Sequence, residues 1–164
     1  MRTEDFYRIL DLRLEEYFCA HKTYICCKKG CSLCCEKGDY PLSQFELQYL
    51  MSGYAALDNN LKIKVQNNIK GMERGGACPF LVDKICTVYP YRPVVCRIHG
   101  LAYLYCTDKV KVPYCANESK NYSKIYASGE ITINPVQENL DTPAVLKDLD
   151  YGEIRNLYDW IYPE

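Results

Sequence analysis

The chain has 164 residues, the length of one domain of roughly 100–200 residues. Hydrophobic residues make up 48%, which excludes wholesale disorder. The formal net charge of -1, from 20 basic and 21 acidic residues, gives no global field for a nucleic acid.

Residues 4 to 19 place Phe6, Ile9, Leu10, Leu14, Tyr17 and Phe18 on roughly one helical face, which predicts a helix. The stretch "CCKKGCSLCCEKG", residues 26 to 38, then crowds five cysteines into thirteen positions. In "DYPLSQFELQYLMSG", Ser43 is followed three residues later by Glu46, a capping box that opens a second helix. A third helix is expected over residues 55 to 72, closing at Gly71 or at Gly75–Gly76. After Gly76, "CPFLVDKICTVY" reads as two short strands turning at Asp83–Lys84, and "LAYLYCTDKVKVPYC" as two more turning near Asp108. A short helix is expected over residues 117 to 127 and a strand at "EITINP". From Asp141 the tail reads as helix, with Pro143 near its start and Gly152 a possible break. The prediction is α+β: one small domain, 1–164, with helices at both ends. Its cysteine-rich, irregular middle, residues 26–115, carries short β-hairpins and is stapled by metal.

Eleven cysteines are the anomaly, and an odd number cannot pair fully as disulfides. The N-terminus, "MRTEDFYRILDLRLEEYF", is charged and amphipathic, unlike a signal peptide, and no stretch is apolar for long enough to span a bilayer. The expected location is the cytoplasm, where clustered thiols stay reduced and bind metal. Cys31-Ser32-Leu33-Cys34 has the spacing that lets one turn aim two sulfurs at one ion, and Gly30 gives the backbone its freedom. With Cys35, the Cys26–Cys27 pair and distant partners, the pattern points strongly to a thiolate site. Neighbouring side chains of an extended segment diverge, so Cys34 and Cys35 suggest two nearby sites or one polynuclear cluster. Two all-thiolate sites would concentrate a charge of about −4. Arg92 and Arg97, inside the motif, are the expected balancing cations. A catalytic thiol is not singled out. No phosphate loop, nucleophile elbow or nucleic-acid motif occurs.

"CKKGCSLCC" and "CPFLVDKICTVYPYRPVVCRIHG" together resemble the YkgJ-like cysteine-cluster proteins, a family named for its CxxCxxCC motif and described as zinc- or iron-chelating. Cys86, Tyr89, Arg92, Pro93, Cys96 and Arg97 fill its most specific pattern. The family's first cysteine lies three residues before the second. Lys28 stands there, so Cys27 takes the role, with Cys26 the other candidate. The resemblance implies eight ligands: Cys27, Cys31, Cys34, Cys35, Cys78, Cys86, Cys96 and Cys115. Cys19, Cys26 and Cys106 are then surplus, with Cys19 and Cys106 small apolar fillers. His99, three residues after Cys96, has a ligand's spacing but is not needed to complete two tetrahedral sites. His21 reads as a helix-end residue. All-thiolate sites suit zinc and iron–sulfur clusters alike. The implied function is a metal-binding cysteine-cluster protein acting as a structural or metal-binding module, with metal ions and a protein or peptide as partners, and neither nucleic acid nor membrane. The alternative is an iron–sulfur-dependent protein- or peptide-modifying enzyme. It follows from a similar cysteine pattern in a flagellin lysine methylase family.

Overall fold

A computed structural model describes residues 2–28, 30–107, 109–123 and 134–164. Helix α1 spans Thr3–Ala20, and a single helical turn, α2, covers Leu33–Glu36. Strand β1 (Pro41–Ser43) leads into α3 (Gln44–Ala55) and α4 (Asn59–Lys70). The hairpin β2 (Leu81–Val82) and β3 (Ile85–Cys86) is followed by a 3-10 turn at Tyr89–Tyr91 and by α5 (Val94–Ile98). A second hairpin joins β4 (Tyr103–Cys106) to β5 (Lys109–Lys111), ahead of a 3-10 turn at Tyr114–Glu118. Helix α6 (Thr142–Val145), strand β6 (Ile154–Asn156) and helix α7 (Leu157–Ile161) close the chain. The expected α+β class, with helices at both ends and short antiparallel strand pairs between, is what the chain adopts.

The chain forms two compact units, each from two separate stretches: residues 1–29 with 97–145, and residues 30–96 with 146–164. In the first, α1 buries Tyr7, Leu10 and Leu14, a stripe at helical spacing. Ile9, counted above on the apolar face, is 53% exposed instead. β4 and β5 pair antiparallel, and Tyr103 makes an isolated parallel bridge to Val136. The helix expected over residues 117 to 127 is a 3-10 turn that ends where Ser119 enters the left-handed region, at φ 58°. Part of that expectation, and the strand expected at "EITINP", fall on residues outside those described.

The second unit packs Leu42, Leu50, Val65, Phe80, Val82, Val88 and Leu157 into one core, with Cys78 and Cys86 against its edge. The capping box forms as the sequence specified. Glu46 N–H donates to Ser43 Oγ at 3.2 Å, and Ser43 N–H donates to Glu46 Oε2 at 2.7 Å. α4 is capped by Asp58, whose carboxylate accepts from Leu61 N–H, and it ends at Gly71. Asp83 and Lys84 both take positive φ, at 51° and 62°, which matches the twist of a two-residue hairpin.

The tail departs from the expected amphipathic helix. Gly152 adopts φ +69°, and a Cβ there would lie 2.7 Å from Gln44 Oε1. Around it, Gln44 N–H donates to Glu153 O and Phe45 N–H to Tyr151 O. β6 then pairs antiparallel with β1, from Pro41↔Asn156 to Ser43↔Ile154. Those carbonyls serve a neighbouring segment and so cannot continue a helix.

Candidate metal centre

α2 is the first surprise at the cysteines. Cys35 N–H and Glu36 N–H both donate to Ser32 O, at 2.8 and 3.0 Å, so the doublet sits on a helical turn. The expectation of an extended segment is corrected. Successive residues of a helix diverge by much less than those of a strand, and the Cys34 and Cys35 thiols lie near enough to perturb each other's ionisation. Divergence therefore no longer argues that the two serve different ions.

Three further segments bring cysteines to this doublet. Cys78 is tied to it directly, since Cys78 N–H donates to Cys35 O at 2.8 Å. Gly38 makes that approach possible: a Cβ there would stand 2.4 Å from Cys78 Cβ and 2.9 Å from Cys35 O. Cys86 arrives on β3, opposite Leu81. Cys96 arrives on α5, whose first N–H, from Val94, donates to the buried carboxylate of Glu46 at 2.7 Å. Glu46 thus does two jobs, closing the cap of α3 and fixing the start of the helix that carries Cys96.

The electrostatics show that Cys34, Cys35, Cys78, Cys86 and Cys96 share one neighbourhood. The Cys35 hydrogen bond holds Cys34 well below the usual thiol range, at about 6, with help from the Arg92 guanidinium. Cys35 is pushed the other way, first by its contact with Cys34 and then by burial. Burial raises Cys78 to about 12, and the charges of Cys86 and Cys34 add to the rise. Burial likewise raises Cys86, and Cys96 further still, the latter against Cys78, Cys86 and Cys34. Arg92 opposes these rises at both Cys86 and Cys96. Its Nε donates to Tyr89 O at 2.9 Å and its guanidinium lies 3.5 Å from the centre of the Tyr89 ring. One thiol poised to ionise among four whose ionisation is opposed forms a site that a cation would discharge.

The other sequence candidates sit differently. Cys31 is exposed, in the same unit. Cys27 is exposed and Cys115 buried, both in the first unit. Arg97 is buried and pairs with Asp11, with its guanidinium 4.4 Å from the centre of the Tyr7 ring. Its charge thus meets a carboxylate, where the sequence suggested sulfur. Cys19 and Cys106 lie in α1 and β4 as expected, but both are exposed and neither fills a core. His99 lies 5.8 Å from the Tyr114 ring, and burial lowers its pKa. His21 Nδ1 is 2.8 Å from Tyr122 Oη. None of the eleven cysteines forms a disulfide.

Among the described residues no three Cys, His, Asp or Glu side chains already converge closely enough to hold an ion. The donor set nonetheless fits zinc or iron in kind, because soft thiolates select these metals.

A family model described as "CxxCxxCC: Putative zinc- or iron-chelating domain" matches residues 26–122. The chain belongs to this family. No curated protein and no solved structure matches it. The CxxCxxCC match spans all five gathered cysteines as well as Cys27, Cys31 and Cys115. Among the described residues, no helix is long and apolar enough to cross a membrane. Sequence reasoning missed Gly38 and the second role of Glu46. A lone glycine three residues past a cysteine run carries too weak a signal, and the acceptor role of Glu46 crosses 48 positions.

Proposed function

We propose that this chain is a cytoplasmic thiolate metal-binding module. Cys34, Cys35, Cys78, Cys86 and Cys96 form the heart of its centre, and Arg92 offsets their negative charge. The family pattern also implies Cys27, Cys31 and Cys115 as metal ligands. The observation that carries this reading is the gathering of five electrostatically linked thiols from four separate segments beside one guanidinium. Bound zinc would supply a redox-inert cross-link, and an iron–sulfur cluster one-electron chemistry.

Metal and acid-labile sulfide content of protein purified without oxygen tests the proposal. The wild-type chain is expected to carry zinc, colourless, or iron with sulfide, brown. Cys34→Ser and Cys96→Ser should each lose most of the metal. Cys19→Ser, on an exposed position of α1, should keep it. A wild-type chain without metal, or a Cys19→Ser variant as depleted as Cys34→Ser, would overturn the assignment.

A further inference from the structure

Asn121 is fully buried and lies outside every cysteine motif. Its carboxamide has three hydrogen bonds, all within the first unit. Oδ1 accepts from Cys26 N–H at 2.6 Å. Nδ2 donates to Gly100 O at 2.9 Å and to Cys27 Sγ at 3.1 Å. The orientation of the amide is forced: Cys26 N–H can only donate and Gly100 O can only accept, so the second N–H is left facing sulfur. Both hydrogens of the amide are used, and one goes to Cys27.

The surroundings hold this arrangement in place. Gly100 adopts φ +101°, and a Cβ there would stand 2.7 Å from Asn121 Nδ2 and 3.3 Å from Cys27 Sγ. Tyr122, the next residue, is buried and takes a left-handed φ of 60°. That conformation strains a bulky residue and persists where other contacts over-determine it. Here those contacts are plain. Tyr122 N–H donates to Tyr24 O at 2.9 Å, Ala102 N–H donates to Tyr122 Oη at 3.1 Å, and the Tyr24 and Tyr122 rings stack. Two consecutive residues therefore strap the segment of Cys26 and Cys27 to the turn at Gly100.

We infer that Asn121 is a positioning residue that selects Cys27 over Cys26 as the metal ligand of this segment. It grips Cys26 by the backbone and gives its remaining donor to the Cys27 sulfur. An N–H donor at a thiolate stabilises the charged form and orients its free lone pairs. The inference rests on the proposed thiolate metal site and adds to it the choice of ligand.

Cobalt(II) is the probe, titrated into metal-free, reduced protein, with sulfur-to-cobalt charge-transfer absorption counting the bound thiolates. Cys27→Ser is expected to lower that absorption and Cys26→Ser to leave it unchanged. Asn121→Asp keeps the size of the side chain and the acceptor for Cys26, but it turns an acceptor toward Gly100 O and Cys27. It should weaken cobalt binding by roughly 10–100-fold, the usual cost of losing a partner of a metal ligand. In a Cys27→Ser background the same substitution should have little further effect, which a purely structural role would not produce. Equal losses in both backgrounds overturn the inference. So does a charge-transfer band that falls with Cys26→Ser and not with Cys27→Ser, a comparison that needs no change at Asn121. A band untouched by Cys27→Ser but abolished by Cys34→Ser overturns it while the proposed function stands. Absence of any band in the wild type overturns both.

Discussion

Stripping metal with a chelator under reducing conditions is expected to abolish cooperative unfolding of the unit formed by residues 30–96 and 146–164. Its gathered cysteines come from α2, from Cys78, from β3 and from α5, so one ion or cluster bound by them would close long loops at once. The strands that frame them are two or three residues long, too short to hold alone. Without a cation, Cys35, Cys78, Cys86 and Cys96 sit where burial and neighbouring sulfurs oppose their ionisation. Structural zinc contributes about 10–16 kcal/mol in small domains, comparable with the whole net stability of about 5–15 kcal/mol of a typical protein. The single tryptophan is a convenient reporter. Trp160 Nε1 donates to Leu42 O at 3.0 Å, within this unit. Its fluorescence should show a sharp melt with metal and a broad, early drift without. A metal-free protein with an unchanged midpoint would contradict the claim.

Replacing Glu46 with Ala is expected to be the most damaging single change away from the cysteines. The carboxylate is fully buried and accepts from Ser43 N–H, Ser43 Oγ–H and Val94 N–H. Truncation orphans two backbone donors, each at a cost of about 1–3 kcal/mol, and leaves a hole as well. The sum is on the order of 3–5 kcal/mol by denaturant titration of the metal-loaded protein. Because Val94 opens the helix that carries Cys96, metal retention should fall along with stability. Glu46→Gln, which keeps one acceptor oxygen, should cost less. A loss below about 1 kcal/mol for Glu46→Ala would show that the carboxylate does not hold α5, since even one orphaned donor costs that much.

The parts legible in the sequence were those set by local chemistry. The Ser43–Glu46 cap, the Asp83–Lys84 turn and the closure of α4 at Gly71 each depend on residues a few positions apart. What escaped depends on distant partners. The tail looked helical because its apolar residues recur at helical intervals. Pairing with Pro41–Ser43, more than a hundred positions away, turns part of it into strand. The cysteine doublet looked extended because nothing in "SLCCE" announces a four-residue helical turn. The pairing of Arg97 with Asp11 spans 86 positions, and nothing beside Cys96 in the sequence announces it. Asn121 was invisible for the same reason, since it reaches Cys26 and Cys27 across more than ninety positions.

X-ray absorption at the edge of whichever metal copurifies tests the central claim most directly. A thiolate centre predicts a nearest shell made of sulfur, at about 2.3 Å for zinc. Cys34→Ser and Cys96→Ser should deplete that shell, and Cys19→Ser should leave it intact. A shell dominated by nitrogen or oxygen in the wild-type protein would contradict the account.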